Sequence, residues 1–108
     1  MLMTTTESIP GKRVVKVIGL VKGNTIRCRH LGHDIVAGLR NMVGGEIGEY
    51  TKMMAECREE ALDRMQAQAH ANGANAILAV RFTTCEMLAQ SAELLAYGTA
   101  VVVEDLAG

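Results

Sequence analysis

The sequence predicts an α+β domain in which one long helix lies across a sheet of three long strands. Three observations predict it. An apolar stripe at helical spacing begins near Glu46 and stops at Gly73. Runs rich in Val, Ile, Leu and Ala lie on both sides of it, at residues 12–22, 74–82 and 93–104. A strand of eleven residues spans about 36 Å. A helix of about 26 residues spans about 39 Å, so the two kinds of element match in length.

Residues 1–11 read as a polar lead-in, with Pro10-Gly11 as the turn that launches the first strand. That strand is expected over 12–22. Gly23-Asn24 then sits between two apolar runs, which predicts a two-residue hairpin and a short return strand over 25–30. Leu31, Ile35, Val36, Leu39 and Val43 have roughly helical spacing, but four glycines interrupt it, so a short helix or ordered loop is expected around 34–41. In the long helix, Ile47, Tyr50, Met54, Cys57, Ala61, Met65 and Ala69 form the stripe. Glu46 and Glu49 suit the positive end of its dipole, and Glu60 and Arg64 are spaced for an i,i+4 ion pair. Gly73 is the expected stop. A strand over 74–82, reaching toward Met87, a turn over 88–91 and a last strand over 93–104 complete the chain.

The 108 residues fit a single domain over 1–108, and 49% hydrophobic with 21% charged residues is a globular balance. A net charge of −1 leaves no basic field for a nucleic-acid backbone or a membrane surface. Two Tyr, one Phe and no Trp leave few base-stacking platforms. Cys28, Cys57 and Cys85 are odd in number and form no Cys-x-x-Cys pair, so they read as free thiols of a reducing compartment. With no secretory leader and no apolar run near the ~20 residues of a membrane helix, a cytoplasmic location is expected.

The strands do not alternate cleanly. In the last strand Leu95, Tyr97, Val101 and Val103 oppose Leu94, Ala96, Ala100 and Val102. In the first, Val15, Val17 and Val21 oppose Val14, Ile18 and Leu20. Strands apolar on both sides are normally covered on both sides, and one helix covers one face. The expectation is a homo-oligomer in which copies of the chain cover the second face.

Several stretches resemble the YbjQ-like family of small bacterial and archaeal proteins. They are Arg29-His30-Leu31-Gly32, Asp34-Ile35, Ala37-Gly38-Leu39-Arg40-Asn41 and Val43-Gly44-Gly45-Glu46, then Arg58-Glu59-Glu60-Ala61, Arg64-Met65, Gly73-Ala74-Asn75-Ala76-Ile77, Arg81-Phe82 and Ala96-Tyr97-Gly98-Thr99-Ala100-Val101. The resemblance runs from about Thr4 to Val103. It implies a β-α-β-β two-layer subunit like that of dodecins, a long helix on an antiparallel sheet, assembled as an oligomeric ring of five. The family carries a heavy-metal-binding label without a shared ligand motif, and it has no agreed activity.

Three constellations could carry chemistry. Cys28, His30 and His33, with Asp34 next to them, are ligand types for a divalent transition metal such as zinc, copper or nickel, although their spacing matches no established motif. Met53, Met54, Cys57 and Met65 offer soft sulfur for Cu(I), but most lie on the stripe and read as packing. Gly44, Gly45 and Glu46 open the long helix, where free N–H groups can hold an anion. With Asp34, Arg40 and Asn41 they form a candidate small-ligand site. Neither Ser8 nor Ser91 sits in a nucleophile elbow. Arg81 is the odd residue in an apolar strand, and a carboxylate from Glu93 or a neighbouring copy is its expected partner.

These features favour a non-enzymatic oligomeric binding or scaffold protein of unknown ligand. The alternatives are a heavy-metal-binding protein using Cys28, His30 and His33, and an enzyme with a site between subunits that includes Asp34, Arg40 or Glu46. A flavin store like the dodecins is a further alternative, by analogy of subunit architecture.

Overall fold

The structure is a computed structural model, and it describes residues 1–25, 46–86 and 92–106. All of the return strand expected over 25–30 except Thr25, the expected short helix around 34–41 and the turn over 88–91 lie outside the described residues.

Among the described residues, four strands and one helix follow in the order β1 (Leu2–Met3), β2 (Lys12–Thr25), α1 (Glu46–Ala71), β3 (Ala76–Glu86) and β4 (Ala92–Asp105). The sheet order is β1-β3-β4-β2. β4 pairs antiparallel with both β2 and β3, while β1 pairs parallel with β3, so the sheet is mixed. This corrects the all-antiparallel sheet expected from the sequence. It also corrects the polar lead-in, because Leu2 and Met3 pair with Ala76 and Ile77. Two residues are too few to show a period, which is why the strand has no sequence signal.

α1 forms where its stripe predicts. Cys57, Ala61, Met65 and Ala69 are buried and recur every four residues, which keeps them on one face. The helix ends in a Schellman motif. Gly73 has φ +86°, its N–H donates to the His70 carbonyl at 3.0 Å, and Ala74 N–H donates to the Ala69 carbonyl at 3.0 Å. The core under the helix joins Val21, Ala61, Met65, Ala69, Ile77, Val80, Ala96 and Ala100.

The expected Gly23-Asn24 hairpin does not form. β2 runs straight through it, with Gly23 opposite Ala96, Asn24 opposite Leu95 and Thr25 opposite Leu94. Gly23 is there because α1 presses on the strand. A Cβ at this position would lie 2.2 Å from the Ala61 carbonyl oxygen and 2.3 Å from the Met65 nitrogen. Tertiary packing therefore overrides the local turn signal.

The second core cluster lies on the other face of the sheet, where Ala76, Leu78, Val101 and Val103 pack with Ile9. The N-terminal segment thus covers part of the second face, which the sequence reading left wholly to other copies. Among the described residues, none packs over the outward side chains of β2. Val14 is 43%, Val17 63% and Leu20 71% exposed.

Candidate functional site

The sequence-predicted ligands Cys28, His30, His33, Asp34, Arg40, Asn41, Gly44 and Gly45 lie outside the described residues. Glu46 is the first residue of α1, and its side chain also lies outside them. Among the described residues, no group of three or more His, Cys, Asp or Glu is placed to hold a metal ion.

The sulfur set is packing in part. Met65 is fully buried in the helix–sheet core and Met54 is half-buried. Cys57 is 3% exposed and disulfide-bonded. That corrects the reading of three free thiols and removes it as an argument for a reducing compartment. No described helix is long and apolar enough to cross a membrane.

Arg81 is placed by a bulge in β3. The register shifts between Leu78 and Arg81, and Ala79 takes the left-handed conformation at φ +54°. An extra residue in a strand inverts the side-chain parity beyond it. Without the bulge Arg81 would stand opposite Ala96, on the helix side. With it, Arg81 stands opposite Tyr97, on the outer face. The N-terminal threonines hold the bulge in place. Ala79 N–H donates to the Thr6 carbonyl and Val80 N–H to the Thr4 carbonyl, both at 2.9 Å. The Arg81 Nη1 donates to the Thr5 carbonyl at 2.8 Å and to the Val80 carbonyl at 2.9 Å. The partners of Arg81 are thus backbone carbonyls, not the carboxylate of Glu93.

Across the sheet, Tyr97 also stands opposite Lys22. Lys22, Tyr97 and Arg81 therefore form one row on the outer face, with Lys22 and Arg81 exposed and Tyr97 half-buried. The next row is Leu20, Thr99 and Leu78 on one side, and Asn24, Leu95 and Thr83 on the other. Sequence reasoning flagged Arg81 as odd but missed the row, because only the register brings its members together.

Glu56, Glu59, Glu60 and Asp63 line a shallow open groove on α1 with Lys52. Glu60 is paired to Arg64 at 2.7 Å, as the i,i+4 spacing predicts. At the far end of the sheet, the hydrogen bond and charge of Lys12 hold the Asp105 carboxyl below its ordinary range.

Among the described residues, a helix on one face of a four-stranded sheet, with two cations and a tyrosine in a row on the other, defines a small α+β chain of the helix-on-sheet class. Its family follows from comparison with known proteins. Residues 1–104 match the model of the YbjQ family, described as "Putative heavy-metal-binding". The chain is 56% identical over 104 residues to a UPF0145 protein of Dehalococcoides mccartyi, covering 96% of this chain and all of the relative. It is 55% identical over 100 residues to a UPF0145 protein of Archaeoglobus fulgidus, covering 93% of each. The chain belongs to this family. In fold it is similar to the crystal structure of a protein of unknown function of the DUF74 family from Pediococcus pentosaceus. The TM-score is 0.53, the identity 17%, and the match covers 96% of this chain and 98% of that one.

Proposed function

We propose that the chain is a self-assembling binding or scaffold protein whose copies pack on the β2 side of the outer sheet face. The observation that carries this reading is the exposure of Val17 at 63% and Leu20 at 71%, beside Val14 and Val15, on a long edge strand. Burying one such side chain gains about 1.5–3 kcal/mol. Two chain properties favour a second copy as the occupant. The net charge of −1 gives copies little mutual repulsion. The edge of β2 is blunted, so association is directed to the face. Bulges follow Val14 and Val17, and α1 side chains cap the edge beyond Leu20. The ring of five implied by the family resemblance is the form we assign to this assembly.

The test is sedimentation velocity of Val17→Lys/Leu20→Lys beside the unaltered chain. Both side chains are exposed, so the variant should fold and sediment as a monomer. A variant that sediments with the unaltered chain would refute this face as the contact.

The heavy-metal reading rests on the family's description. It requires Cys28, His30 and His33 as ligands. Metal bound after purification should be lost in His30→Ala, and unchanged content in that variant would exclude these ligands.

A further inference from the structure

The geometry points to an oxyanion-binding site on the outer sheet face, formed by Arg81, Tyr97 and Lys22, for a small carboxylate- or phosphate-bearing molecule. Arg81 carries the argument. Its Nη1 is taken up by the Thr5 and Val80 carbonyls, which fixes the guanidinium without neutralising it. The Nε and Nη2 donors are left as a pair, and that edge of the guanidinium is the fork that binds a carboxylate or phosphate through two parallel hydrogen bonds. Among the described residues the ion pairs are Lys12 with Asp105, Arg13 with Glu104 and Arg64 with Glu60, so neither Arg81 nor Lys22 is matched by a carboxylate.

The register supplies the rest. Tyr97 is the direct cross-strand neighbour of both Arg81 and Lys22. Such neighbours have Cβ atoms about 4.5–5.5 Å apart. Tyr97 therefore stands between two cations in its row, and its phenol is the third group assigned to the anion. Glu93 shares this face but stands four residues from Tyr97 along β4, about 13 Å away. The bulge at Ala79 makes the site, because it moves Arg81 from the helix side to this face.

The experiment is a titration of the full chain with inorganic phosphate, and separately with benzoate, at constant ionic strength. The Arg81 Nε–H and the backbone amides of Tyr97 and Lys22 are followed by 1H–15N NMR. Sedimentation of the same sample reports the assembly state separately. A saturable shift at these signals is expected. Its midpoint should weaken tenfold or more in Arg81→Lys, which keeps the charge and loses the fork, and about threefold in Lys22→Gln and Tyr97→Phe. A linear, unsaturated response to both anions would overturn the site, as would an unchanged midpoint in Arg81→Lys. Saturation by benzoate alone or phosphate alone would assign the ligand's charged group.

Discussion

Gly23 shows how one residue decides which of two local structures forms. Gly-Asn between apolar runs predicts a hairpin, yet the strand continues because α1 approaches so closely that only a hydrogen fits. Gly23→Ala should therefore destabilise the fold by about 3 kcal/mol or more, measured by urea unfolding, since the atoms met are backbone and cannot move aside. Asn75 is a second such residue. Its side-chain amide donates to the Val103 carbonyl at 2.9 Å and accepts from the Val103 N–H at 2.8 Å. A side chain here continues the β ladder beyond the end of β3. Asn75→Ala should cost about 1–3 kcal/mol in the same measurement, because both Val103 groups lose their partner. Neither role is visible in sequence. Each depends on a contact across more than twenty residues, and local propensity points elsewhere. Arg81 was legible as an anomaly, but its place beside Tyr97 follows from a bulge that leaves no residue signature.

The elements were legible where a period is long enough to read. α1 spans Glu46–Ala71 with its apolar stripe inward and Gly73 closing it, as the pattern predicts. β4 spans Ala92–Asp105, close to the expected 93–104. β1 was not legible, because two residues carry no alternation. The edge of β2 is also protected in a way sequence does not reveal. Gln68 Oε1 accepts from the Lys22 N–H at 2.8 Å, and Arg64 Nη1 donates to the Asn24 carbonyl at 2.6 Å. Helix side chains thus occupy backbone groups that an edge strand would offer to another chain. Gln68→Ala should speed amide hydrogen exchange at Lys22 while lowering global stability by only about 1 kcal/mol. At the other end of the strand, the Lys12–Asp105 pair gives a pH dependence. The Asp105 carboxyl is depressed in the folded chain, chiefly by its hydrogen bond to Lys12 and then by the Lys12 charge. The stabilisation is therefore present at neutral pH and is lost as pH falls below about 4, through the depressed value. In Lys12→Met, an NMR titration of Asp105 should return its carboxyl to the ordinary range.

At the scale of the whole molecule, the described residues form a helix-covered sheet whose second face they cover only in part. The N-terminal segment closes the β3–β4 part of the second face through Ile9, leaving Val14, Val17 and Leu20 on β2 in water. The lack of clean alternation in the strands made this legible from sequence. The share that Ile9 would cover was not, because a short lead-in rich in Thr and Ser carries no packing signal. The central claim is that copies of the chain finish that face. Native mass spectrometry of the unaltered chain at low micromolar concentration tests it most directly. The account predicts a single closed species at a whole-number multiple of 11.6 kDa, five-fold in the ring assigned here. A spectrum holding only the 11.6 kDa chain would contradict it.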